Sequence, residues 1–133
     1  HSFLFYHVPP RFFEDRIVVA HKRRGFKEHA SELHELCVRH GVAEVFMGHF
    51  HGYASHVIDG VRYTLTAGAG SPISTRLKPE HRFHNYVVRR VSPRSLGGET
   101  VLLKHGEWER IDATNEELSC PATTLSSCGL PTS

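Results

Sequence analysis

The sequence predicts an α/β domain dominated by strands, and three observations carry that reading. An apolar, aromatic run at residues 3–6 (FLFY) is stopped by Pro9 and Pro10, which lack the N–H a sheet ladder needs. From Phe26 the pattern changes to helical spacing: Phe26, Ala30, Leu33, Leu36 and Cys37 form one apolar stripe, with Lys27, Glu28, Glu32, Glu35 and Arg39 outside it. A second short apolar run, VAEVFMG at residues 42–48, follows almost at once. Strand, helix, strand is the grammar of a layered α/β unit, in which ligands collect at the C-terminal ends of the strands.

The elements follow in order. Residues 11–25 show no sustained period and read as a long connection; their HKRR run is a solvated charge cluster, with phosphate steering as the minority reading. The helix from Phe26 ends with Arg39 and His40 in its last turn and Gly41 at the left-handed C-cap position, which leaves Cys37 in the core. Asp59 and Gly60 join two strand-like runs in a hairpin. The AGAGSP segment makes a turn able to approach a ligand closely. RFHNYVVRRV and ETVLLKH read as two further strands joined by SPRSLGG, about six strands in all. Residues 112–133 lose periodicity, are rich in Ser, Thr and Pro, and read as a disordered tail. Trp108 near that tail reads as a packing residue or a half-exposed cover.

Composition narrows the function classes. The chain of 133 residues is the size of one domain. Its formal charge of +2 is too small to argue for nucleic acid or an acidic membrane. No apolar run reaches the roughly 20 residues that span a bilayer, and no secretory signal pattern is present. Cys37, Cys120 and Cys128 are odd in number, with no CxxC pair, so neither a zinc knuckle nor a disulfide framework is indicated. Histidine stands out with 12 copies, and imidazole is the commonest metal ligand.

Of these, VFMGHFHGY at residues 45–53 ends an apolar run with His49 and His51 one residue apart, flanked by Gly48 and Gly52. Side chains two apart on an extended segment lie on one face, about 7 Å apart by strand rise. Two such imidazoles can chelate one ion, or straddle a metal pair spaced about 3.5–4 Å. His7 also ends a strand, so parallel pairing of the two strands would bring His7 and His49 out at one sheet edge. Tyr53 is a weaker candidate to face a substrate phosphate, with a structural aromatic as the competing reading. His81 and His84 are weaker ligand candidates at a strand start, and the remaining histidines read as surface or satisfied side chains.

FLFYHVPP, the helix ending in glycine, VFMGHFHGY and DGVRYTLTAGAGSP together resemble the C-terminal half of a calcineurin-like metallophosphoesterase domain over roughly residues 3–104. The resemblance implies half of a four-layer α/β/β/α sandwich over residues 1–111, with His7 and His49 on one metal and His51 on its neighbour. It implies two divalent ions (Mn, Fe, Zn or similar), a phosphate ester substrate, and hydrolysis by metal-bound hydroxide. The family's D-x-H, G-D-x-x-D and G-N-H-(E/D) motifs have no counterpart here. Asp15, Asp59 and Asp112 are the only aspartates, and none has histidine two residues on; Asn85 and Asn115 lie outside a G-N-H context. The chain therefore reads as a C-terminal piece of such a domain, consistent with His1 at its start and Met47 as its only methionine, and as catalytically incomplete, with no identifiable catalytic acid. The alternative is a non-enzymatic β-rich interaction module, whose uncovered sheet faces would serve partners or self-association.

Overall fold

The computed structural model describes residues 1–19 and 24–113. Its elements are β1 (Ser2–Tyr6), α1 (Arg11–Ile17), α2 (Ala30–Arg39), β2 (Val42–Met47), β3 (Gly52–Ile58), β4 (Val61–Ala67), β5 (His84–Ser92), β6 (Ser95–Lys104) and β7 (Glu107–Ala113), with one 3-10 turn at Pro79–His81. The class is α/β with strands predominating, as the sequence predicts. Four strands form a sheet in the order β1-β2-β4-β3, and β5-β6-β7 form a second, antiparallel sheet.

In the first sheet β1, β2 and β4 are parallel, with Tyr6 opposite Met47 and Met47 opposite Leu65. Their C-terminal ends therefore share one edge. Strand β3 runs antiparallel to β4 and starts at that edge, where Gly52 faces Ala67. At the far end Asp59 and Gly60 both take positive φ, 48° and 81°, the requirement of a two-residue hairpin whose twist matches its strands.

The two faces of this sheet do different work. Val45, Met47, Ala54, Tyr63 and Leu65 are buried in one apolar cluster with Phe13 and Ile17 of α1, Cys37 of α2, and Leu77. The opposite face meets the second sheet through polar contacts. Arg89 of β5 makes a bidentate pair with the buried Glu44 of β2, at 2.7 and 2.8 Å. The Thr64 hydroxyl donates to the same carboxylate. Asn85 of β5, itself buried, accepts from Thr66 and donates to the Gly52 carbonyl at 2.9 Å. Gly98 of β6 permits the close pairing behind Arg89, since a Cβ there would lie 2.1 Å from the Val88 carbonyl oxygen.

Five features differ from expectation. Residues 11–17 are helical rather than connection: Pro10 stands at the N-cap, and two turns are too short to display a period, so α1 is held by burying Phe13 and Ile17. The second helix starts at Ala30, not Phe26, because His29 has φ 57° and Phe26 bridges Pro10. The turn after β5 is short, and Ser95, Leu96, Gly97 and Gly98 belong to β6. A seventh strand, β7, carries Trp108, which is 59% exposed and rests near Tyr86 with ring centroids 5.9 Å apart. Its EWERIDA sequence lacks an apolar alternation because an edge strand leaves much of its surface in water. The expected tail of residues 112–133 starts too early, since Asp112 and Ala113 belong to β7; residues 114–133, with Cys120 and Cys128, lie outside the described residues.

Arg89→Met strands the Glu44 carboxylate without its counter-charge, which costs about 3–5 kcal/mol. Urea unfolding should show that loss, and Glu44→Met added to Arg89→Met should recover much of it.

Candidate functional site

The histidine edge follows from the parallel pairing of β1 and β2. Past the ends of these strands the Gly48 N–H still donates to the His7 carbonyl at 3.0 Å, which keeps the two segments together. The imidazoles of His7 and His49 meet edge to face with ring centroids 5.3 Å apart. Gly48 makes room for this contact: a Cβ there would sit 3.1 Å from His7 Nδ1. His49 itself has φ 73°, a left-handed conformation that costs a non-glycine residue about 1–2 kcal/mol.

His51 is oriented by the loop that follows β4. Its Nδ1 lies 3.0 Å from the Pro72 carbonyl oxygen, which can only accept. The ring therefore carries its hydrogen on Nδ1 and keeps the Nε2 lone pair for a ligand. The His51 carbonyl in turn accepts from Ser74 N–H at 2.9 Å. Gly68, with φ 101°, packs against the His51 side chain, where a Cβ would lie 3.3 Å from the His51 Cβ.

A third segment reaches the same edge. Glu14 of α1 is completely buried, and its carboxylate accepts the backbone N–H groups of Arg24 and Gly25 at 2.7 Å each. Arg11 adds a contact to the same carboxylate at 3.2 Å. Phe26 N–H donates to the Pro9 carbonyl, two residues beyond His7. The result is an electropositive mouth. Burial pushes the His49 pKa down, and the charges of His7, Arg24 and Arg76 push it the same way against the opposing effect of Glu14.

The other candidates are placed elsewhere. Tyr53 spends its hydroxyl on Thr100 Oγ1, 3.4 Å away in the second sheet, so it bridges layers. His84 Nδ1 is anchored to the Gly68 carbonyl at 2.7 Å. His34, expected to be satisfied, is so: Nδ1 meets Tyr63 Oη at 2.8 Å and Nε2 meets Asp59 at 2.9 Å. His56 is not. Its Nε2 is buried with no partner among the described residues, beside His81 at a ring separation of 6.1 Å. Burial, then the charges of His81, Arg16 and Lys78, hold the His56 pKa down, and burial is the main cause of the lowered pKa of His81 as well. Glu14 and Arg76, which shape the mouth, escaped sequence reasoning. The only signal was Pro9-Pro10 as a helix start.

The donor set is imidazole alone. Among the described residues no group of three or more His, Cys, Asp or Glu side chains is disposed to hold a metal ion. Two ions bridged by a carboxylate do not fit it. The rings of His7 and His49 meet at this edge, and His51 is held to the loop that follows β4.

No family model and no curated protein matches the sequence. Solved structures of Vps29 from Entamoeba histolytica are similar in part. A doubly substituted variant matches with 17% identity and a TM-score of 0.44, over 68% of this chain and 48% of that one. A singly substituted variant matches with 18% identity and a TM-score of 0.42 over the same shares. The wild-type protein complexed with zinc matches with 17% identity and a TM-score of 0.43, over 71% and 49%. This chain spans about half the length of those proteins.

If the left-handed turn at position 49 is a cost borne for ligand geometry, His49→Gly should be about 1 kcal/mol more stable than His49→Ala. Urea denaturation of the two variants checks this, and equal stability would remove the strain argument.

Proposed function

We propose that this chain is part of a metal-dependent phosphoric ester hydrolase, a phosphomonoesterase or phosphodiesterase, in which His7, His49 and His51 are metal ligands. The observation that carries the reading is the meeting of His7 and His49 at the C-terminal edge of two parallel strands, over a glycine that leaves no side chain between them. Zinc or iron suits imidazole donors of this kind. His51, with Nδ1 on a backbone carbonyl, has the tautomer and fixed ring orientation that metal-bound histidines require. Glu14, the carboxylate brought nearest the edge by the described residues, is taken up by two backbone N–H groups and Arg11, so on this reading the chain alone binds one ion weakly and does not turn substrate over.

Elemental analysis of the purified chain beside the His49→Ala/His51→Ala double variant tests the ligand assignment. A sub-stoichiometric zinc or manganese content lost in the variant is expected, and equal content in both proteins refutes it. In an assay with a chromogenic phosphodiester and Mn, turnover that disappears in His49→Ala would refute the incompleteness.

A second reading, a non-enzymatic interaction module, is favoured by one feature. A groove of about 690 Å³ is lined by Phe3, Phe5, Phe46, Val87 and Val91, and Phe5 is 70% exposed. An open apolar groove of this kind marks a contact surface. Sedimentation of the purified chain decides it: a stable dimer or hetero-complex supports the module, and a monodisperse monomer counts against it.

A further inference from the structure

We propose that His56 and His81 form an acid-released clasp, in which protonation of the imidazole pair frees residues 74–82 from β3 and from the end of α1. The clasp lies outside the histidine edge and does not depend on the reading of that edge as a metal site.

His56 stands in the middle of β3, opposite Tyr63 of β4. Its ring lies between two others: Phe13 of α1 at 5.8 Å and His81 at 6.1 Å between centroids, edge to face in both cases. The 3-10 turn that carries His81 is pressed onto the start of β3, where a Cβ on Gly52 would run into the His81 carbonyl and the Leu77 side chain. The end of α1 holds the same segment from the other side. Lys78 N–H donates to the Ile17 carbonyl at 2.9 Å, Lys78 Nζ to the Arg16 carbonyl at 2.6 Å, and Val19 N–H to the Arg76 carbonyl at 2.9 Å. Arg82 spends its guanidinium group within the segment, on the Leu77 and Thr75 carbonyls.

The centre of this clasp suits neutral rings only. His56 Nε2 is buried with no partner among the described residues, so a protonated ring would keep a charged N–H there without an acceptor. The surrounding charges give little relief. Arg16 of α1, Lys78 and the facing imidazole all oppose a proton on His56. Glu80 and a hydrogen bond to the Tyr53 backbone favour one on His81, against burial and Lys78. Glu14 of α1 is taken by two backbone N–H groups and Arg11, Asp15 is exposed, and the Tyr63 hydroxyl is bonded to His34. Both imidazoles are held below the ordinary histidine pKa, burial being the first cause in each. Released histidines therefore bind protons more readily than clasped ones. The clasp is intact above the ordinary histidine pKa and loses stability as pH falls below it. The turn is the part that yields, because β3 is paired with β4 along seven residues while the turn is held by single bonds. Ser74 N–H is bonded to the His51 carbonyl, so release of the segment also loosens the chain beside the histidine edge.

The test is amide hydrogen exchange of the full chain near pH 7.5 and near pH 5, corrected for intrinsic exchange rates. The amides of Val19, Ser74 and Lys78 should lose protection by about threefold or more on acidification, while those of β2 and β4 keep theirs. His56→Phe and His81→Gln should each remove most of this pH dependence. His40→Gln, at an exposed histidine past the end of α2, should leave it in full. Equal protection at the two pH values overturns the proposal. So does a loss shared evenly by β2 and β4, which is general acid unfolding, and so does an undiminished pH dependence in His56→Phe and His81→Gln. Where a variant does not fold, the unaltered chain decides: loss confined to the segment and its partners on α1 and β3 supports the clasp, and any other pattern refutes it.

Discussion

The bidentate pair between Glu44 and Arg89 is the contact on which the two-sheet arrangement depends. Each partner comes from a different sheet, and the carboxylate is almost wholly withdrawn from water. A charge buried this deeply is tolerable only with its counter-charge and hydrogen bonds in place, so the pair specifies how β5 lies across β2 as much as it stabilises the contact. Thr64 and Asn85 continue the polar seam on either side. The layers are consequently of different character. Apolar packing joins the helices to the first sheet, while hydrogen bonds and one ion pair join the sheets to each other.

That seam also governs the histidine edge at a distance. Asn85 donates to the carbonyls of Gly52, Ala67 and Phe83, which lie at the start of β3, the end of β4 and the approach to β5. Those three points bracket the loop that carries the Pro72 carbonyl to His51 and Arg76 to the mouth. On the other side of the edge, the buried Glu14 plays the equivalent part for the segment carrying Arg24. The edge is thus assembled from chain segments far apart in sequence, two of them tied down by the buried polar side chains of Asn85 and Glu14. A set of donors held in this way is pre-oriented for a ligand and loses little freedom on binding it.

His49 shows the tension between fold and site most directly. A glycine would satisfy its backbone without strain, yet histidine occupies the position with its ring half-buried, and burial lowers its pKa. Strain and electrostatic repulsion collected at one residue are a reason to look for a ligand that relieves them.

By itself the sequence determined whatever depends on short-range pattern. The aromatic strand before Pro9, the stripe through Leu33 and Cys37, the apolar run of β2 and the Asp59–Gly60 turn each carry a local signal, because hydrophobic period and turn chemistry act over a few residues. The order strand, helix, strand then implied parallel pairing, and so the meeting of His7 with His49. Where local signal was thin, the chain gave less away. Seven residues of α1 show too little of a period, and β7 alternates charge with only one or two apolar side chains. The Gly106 turn before β7, with His105 also at positive φ, was its one visible mark. Tertiary structure alone decided the rest. Nothing in the string says that Glu44 finds Arg89, that Glu14 turns back onto Arg24 and Gly25, that Tyr53 reaches across to Thr100, or that Ser74 arrives on the His51 carbonyl. Each of these contacts joins residues remote in the chain, and its existence is set by which groups the packed layers leave unpaired in a place water cannot reach.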